Sequence, residues 1–208
     1  MNKKDNIIIT VGRQLGSGGR TIARMLAEDF DCQFYDRELL NLAAKESGFS
    51  EEIFKQNDEQ KGFLKSLFHL HAPHVSDTNF YDSRFSQESL FQFQSDAIRK
   101  AASEGRCVFV GRCADYVLRD RMDVVNLFIT ASMEDRIKAV SERHQCDNDT
   151  ARRIIKEKES QRANYYNYYT GRRWGHAESY DLCINTSLIG MEKARQLIRE
   201  YIEMKNEE

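Results

Sequence analysis

The residues best suited to chemistry lie near the start of the chain, where Gly12 to Arg20 reads GRQLGSGGR. Glycines let successive backbone N–H groups converge on an anion, and a helix opening directly behind them adds partial positive charge. Gly16, Ser17, Gly18 and Gly19 would form the turn, with Arg20 and Thr21 opening the helix. Such a loop is a phosphate cradle. The Walker A pattern requires glycine, four residues, Gly-Lys, then Ser or Thr, and this loop has no lysine. Two registers fit. With Gly19-Arg20-Thr21 laid on Gly-Lys-Thr, Arg20 takes the lysine's place and Gln14 that of the first glycine. Moved by one residue, Gly19 falls on the lysine. An arginine supplies the same charge and binds phosphate bidentately. The hydroxyl of Thr21 or Ser17 is a candidate ligand for Mg²⁺. The plain alternative is a glycine turn that only joins a strand to a helix.

A second concentration of charge comprises Arg152, Arg153, Lys156, Lys158, Arg162, Arg172 and Arg173. Arg152 and Lys156 share a helix face, as do Lys158 and Arg162. Phosphoryl transfer depends on positioning and on stabilising charge spread over the phosphate oxygens, so basic residues on a closing lid suit it. The alternative is a solvated helix with Glu157 and Glu159 as partners. Tyr165, Tyr166, Tyr168, Tyr169 and Trp174 read chiefly as packing, with base stacking as the other use. His69, His71 and His74 lack the companions that would complete a tetrahedral metal site. Asp115 reads as a helix surface residue and Asp181 as a turn residue.

These groups need elements to hold them. Ile7 to Val11 is a continuous apolar, β-branched run, the mark of a strand buried on both faces. A helix begins near Gly19, with Ile22, Met25, Leu26 and Phe30 at helical spacing. Gln33–Tyr35, Cys107–Val110, Val124–Ile129 and Leu182–Ile184 read as four more strands. Asp36 is placed to cap a helix through Ala44. Helices follow at Ser86–Ser103, after the fourth strand with Met133, Ile137 and Val140 inward, at Asp149 to about Tyr169, and at the end with Ala194, Leu197, Ile198, Tyr201 and Ile202. Residues 50 to 85 read as an insert rather than a second core. Strands alternating with helices imply a three-layer α/β fold with a mostly parallel five-stranded sheet. Ligands bind beyond the carboxyl ends of such strands. That rule brings the glycine loop, Asp36-Arg37 and Gly111-Arg112 to one crevice.

Composition limits the alternatives. Over 208 residues the net charge is −2, which argues against nucleic acid or an anionic membrane as a chain-wide partner. No run approaches the roughly 20 apolar residues that span a bilayer, and MNKKDNIIIT carries no signal-peptide pattern. The five cysteines form no CxxC pair, and Cys107 and Cys183 read as small core residues. A reduced, cytoplasmic protein is expected.

GRQLGSGGRTIARMLAEDF, FYDRELLNLAA, VFVGRCADYVL, LFITASMEDRIKAV and SYDLCINTS, in this order, resemble the cytidylate-kinase-like family of the nucleoside-monophosphate kinase group. The resemblance covers nearly the whole chain. It implies a P-loop NTPase-like fold: a core of about 1–48, 86–145 and 178–208, a helical acceptor-binding insert of about 49–85, and a basic helical lid of about 146–177. It also implies transfer of the γ-phosphoryl group of ATP, with Mg²⁺, to a small phosphate-bearing acceptor such as CMP or dCMP. On this resemblance Gly16 to Thr21 hold the donor phosphates. Asp36, Arg37 and Arg112 serve the acceptor side, and Lys158 and Arg162 close on the transferred group. The missing lysine and a lid rich in tyrosine depart from the pattern. The alternative they raise is a nucleotide-binding regulatory protein with little or no kinase activity.

Overall fold

The computed structural model describes residues 7–36 and 83–207. The expected helix from Asp36 to Ala44, Arg37, nearly all of the 49–85 insert and the three histidines at 69, 71 and 74 lie outside the described residues.

The elements are β1 (Ile8–Arg13), α1 (Gly19–Asp29), β2 (Gln33–Tyr35), α2 (Ser83–Glu104), β3 (Cys107–Val110), α3 (Ala114–Val117), β4 (Val124–Thr130), α4 (Met133–His144), α5 (Asn148–Thr170), β5 (Leu182–Asn185) and α6 (Thr186–Glu207). The five strands form one sheet in the order β2-β3-β1-β4-β5, and every pairing is parallel. Strands alternate sides every residue. Ile9 and Val11 therefore meet α1 and α6 through Ile22, Leu26, Ala194 and Ile198. Ile8 and Phe109 meet α2 and α3 through Ile98, Ala101 and Val117. Both faces are covered, which is why the central strands read as unbroken apolar runs. Each fully buried Ile or Val contributes about 1.5–3 kcal/mol over leaving it exposed.

A third cluster, Ile137, Val140, Ala151 and Ile155, joins α4 to α5. Ser132 caps α4 by accepting from the Asp135 N–H at 3.2 Å. Asp147 caps α5 by accepting from Thr150 N–H at 2.7 Å. Gly171, in the left-handed conformation, ends α5.

The structure corrects four residue readings. Cys183 is exposed: β5 is an edge strand whose Ile184 faces the α6 cluster, so the next residue along points to the opposite face. Met133 is exposed because it opens α4 at the capped end. Leu197 sits beside the buried stripe of Ala194, Ile198 and Ile202 rather than in it. Asp115 lies on α3, a helix the sequence reading did not separate, and burial holds its carboxyl above the usual range. All five cysteines are unpaired. No helix among the described residues is long and apolar enough to cross a membrane.

Candidate active site

β1 runs out at Arg13, and the chain turns back over the carboxyl edge of the sheet. Gln14 anchors the turn twice. Its N–H donates to Ile129 O at 3.0 Å, and its side-chain oxygen accepts from Ala131 N–H at 3.3 Å. Ser17 is buried, and its hydroxyl donates to Gln14 O at 2.9 Å. Gly16 and Gly18 have φ of 83° and 77°, values that favour glycine. A β-carbon on Gly16 would also lie 2.8 Å from the Arg136 carbonyl oxygen. Gly18 caps α1, and its carbonyl accepts from Ile22 N–H at 3.0 Å. The first turn of α1 thus presents backbone N–H groups that have no acceptor within the helix, together with the positive end of its dipole.

Two helices grip this loop. Arg136 on α4 donates from Nε to Leu15 O at 2.8 Å. Glu159 on α5 accepts from Leu15 N–H at 2.9 Å. Arg136 Nη2 and Glu159 Oε2 stand 2.9 Å apart as an ion pair, close but without the alignment of a hydrogen bond. The pair is largely buried. The sequence offers Glu159 only as a surface partner on its own helix and Arg136 not at all, because their contacts with Leu15 bridge more than a hundred positions.

Around the loop gather four arginines. Arg20 pairs with Asp36, its Nε lying 3.2 Å from Asp36 Oδ2. Arg162 donates from Nη1 to Arg13 O at 3.0 Å. Arg112 follows β3 and lies over the Tyr165 ring at 5.0 Å. Gly111, Arg112 and Cys113 have φ of 76°, 57° and 56°. Three successive left-handed residues, two with side chains, are an expensive backbone of the kind found at functional sites. Arg13 stands within the field of the other three. Burial, then Arg162, then Arg112 push its guanidinium down to about 9.

Of the residues read from sequence, the structure brings the Gly16–Thr21 loop, Asp36, Arg112 and Arg162 to one crevice. Lys158 is set on an exposed part of α5, beside Gln161 at 3.3 Å and Glu157 at 3.8 Å. Arg13 was missed. A strand-end arginine gives no signal on its own, and the Walker pattern asks for glycine near that point.

The tyrosines of α5 are engaged with protein. Tyr165 donates to Gln94 Oε1 at 3.1 Å, Tyr168 to Glu88 at 3.1 Å, and Tyr169 stacks on Phe91 with centroids 4.1 Å apart. Tyr166 donates to Asp115 Oδ2 at 2.6 Å. Because the fold raises the Asp115 pKa, its contribution to stability is complete below the unfolded carboxylate value and is lost as pH rises through the raised one. Asp115→Asn keeps an acceptor for Tyr166 without the charge. The Tm of the native protein is therefore expected to gain on that of Asp115→Asn as pH is lowered from 7 to 4, in paired thermal melts.

A parallel sheet in this order, with a glycine loop between β1 and α1 and a crowd of cations at the strand ends, defines a P-loop kinase fold. The chain belongs to the cytidylate kinase-like family, whose model matches residues 8–188. It is 25% identical to a cytidylate kinase of Methanopyrus kandleri, over 95% of this chain and 94% of that one. It is 27% identical to a cytidylate kinase of Pyrococcus horikoshii, over 96% and 90%. Among solved structures, an uncharacterized protein of Eubacterium ventriosum superposes with a TM-score of 0.73 at 28% identity, over 95% of this chain and 98% of that one. Shikimate kinase of Bacteroides thetaiotaomicron gives 0.52 at 12% identity with the same coverage, a likeness of fold.

Proposed function

We propose that the protein is an ATP-dependent phosphotransferase that moves the γ-phosphoryl group to a nucleoside monophosphate, CMP or dCMP being the first acceptors to test. The observation that carries this reading is the convergence of Arg13, Arg20, Arg112 and Arg162 on a glycine loop at the carboxyl edge of the sheet. Such a concentration of cations suits a donor polyphosphate and an acceptor phosphate brought together. Family membership and the names of the archaeal relatives support the nucleotide class.

In the reaction an oxygen of the acceptor phosphate forms a bond to the γ-phosphorus. The bond from that phosphorus to the β,γ-bridging oxygen breaks, and ADP leaves with the electron pair. A phosphate dianion needs no base to attack. The protein's work is to hold the two phosphates in line and to offset charge on the equatorial oxygens. The loop from Gly16 to Thr21 holds the donor. Arg112, with Asp36 and Arg37, holds the acceptor, and Arg162 reaches the junction from the lid, with Lys158 on the same helix. Met191, which is exposed, lies against Gly18 and offers an apolar contact suited to the donor base.

Among the described residues no three His, Cys, Asp or Glu side chains gather. Mg²⁺ does not require such a cluster, because it keeps waters and uses one or two carboxylates besides substrate phosphates. Exposed Thr21 and the Asp36 carboxylate would hold it, whereas Ser17 is buried with its hydroxyl donated to Gln14 O. The ion would neutralise charge on the phosphates.

The test is ADP formation from Mg-ATP against a panel of nucleoside monophosphates and their deoxy forms. Turnover that depends on one cytidine acceptor is expected. ATP binding without turnover on any acceptor would instead favour a nucleotide-binding protein that performs no transfer.

A further inference from the structure

The Walker A pattern places a lysine after its second glycine, and here the geometry points to Arg13 as the residue that makes that lysine's contact with the donor phosphates. This rests on the reading of the loop as the donor-phosphate site. Gly18 is the left-handed residue directly ahead of α1, and Gly19 is the first helical residue. With Gly18 as the pattern's second glycine, the lysine falls on position 19 and the first glycine on position 13. The chain carries glycine at 19 and arginine at 13. The cation and the glycine have exchanged places.

The exchange is sterically linked. A β-carbon on Gly19 would lie 2.5 Å from Arg13 Cβ, 3.2 Å from Arg13 Cγ and 3.1 Å from Ile129 Cβ. The stem of Arg13 therefore fills the room that a side chain at 19 would need. From there the guanidinium runs toward β3, where a β-carbon on Gly111 would lie 2.2 Å from Arg13 Nη1. It thus spans from the donor loop to the start of the Gly111-Arg112 turn, where the transferring group would pass. Among the described residues its guanidinium makes no ion pair and no hydrogen bond, whereas Arg20 is paired with Asp36 and Arg136 with Glu159. Burial and the neighbouring Arg162 and Arg112 depress its pKa to about 9, a cost that a polyphosphate would relieve.

The probe is inorganic tripolyphosphate, titrated calorimetrically into the native protein, Arg13→Gln, Arg13→Lys, Gly19→Lys and the double variant Arg13→Gly with Gly19→Lys. Arg13→Gln and Arg13→Lys both keep the stem against Gly19, and thermal melts verify that each variant is folded. Arg13→Gln is expected to weaken binding by about 10- to 100-fold, the worth of one or two charge-assisted hydrogen bonds. Arg13→Lys is expected to retain most of it. The double variant rebuilds the Walker arrangement and is expected to bind more tightly than Arg13→Gln. Native affinity in Arg13→Gln would overturn the assignment. So would tighter binding by Gly19→Lys alone, since the two side chains would then coexist. Binding is scored apart from turnover. A protein that binds tripolyphosphate through Arg13 but transfers nothing contradicts the kinase reading and leaves Arg13 standing. Turnover that is unchanged in Arg13→Gln does the reverse, and no binding by the native protein overturns both.

Discussion

Replacing Arg136 with alanine is expected to lower the unfolding free energy by about 3–5 kcal/mol, the usual cost of breaking a buried ion pair from one side. Arg136 is 3% exposed. Its loss leaves the Glu159 carboxylate without its cation and the Leu15 carbonyl without its donor. Both backbone polar groups of Leu15 are held by this one pair of side chains, so the glycine loop loses its grip on α4 and α5 together. Glu159→Gln is milder, at about 1–3 kcal/mol, because the amide oxygen still accepts from Leu15 N–H. Denaturant midpoints of the two variants, compared at constant m-value, measure both. A change below about 1 kcal/mol in Arg136→Ala would mean that the Gln14 contacts to Ile129 and Ala131 alone hold the loop.

The second large effect concerns the acceptor. Arg112→Ala is expected to raise the acceptor KM by about 10- to 100-fold, the range for removing a charge-assisted contact to phosphate, with the ATP KM within about threefold of the native value. Arg112 follows the strand next to β1, on the side of the crevice opposite β4, and its guanidinium is steered by the Tyr165 ring. Tyr165→Leu removes that ring and should produce a smaller rise in the same constant. An effect confined to ATP in Arg112→Ala would move the arginine to the donor side.

Much of this was legible beforehand, for physical reasons. Ile8, Ile9 and Val11 announce a central strand because both faces of a parallel sheet are dry. Gly16 and Gly18 announce the loop because each is left-handed. The rule that ligands gather at strand carboxyl ends then placed Asp36 and Arg112 on one crevice without any knowledge of strand order. What was not legible depends on contacts between distant positions. Arg136 and Glu159 look like ordinary helix charges until the loop is laid between them. Asp115 looks like a surface residue until Tyr166 is seen above it. Arg13 and Gly19 each depart from the Walker pattern in a way that looks like a simple defect. Only the closeness of their β-carbon positions shows that the two departures are one event.

Phosphorus-31 NMR of the native protein with Mg-ATP and CMP tests the central claim most directly, because it follows the γ-phosphoryl group itself. The γ resonance of ATP is expected to decline while the resonances of ADP and a cytidine diphosphate grow in equal measure, with little orthophosphate. An unchanged ATP spectrum, or orthophosphate as the only product, would contradict transfer between two bound phosphates at this crevice.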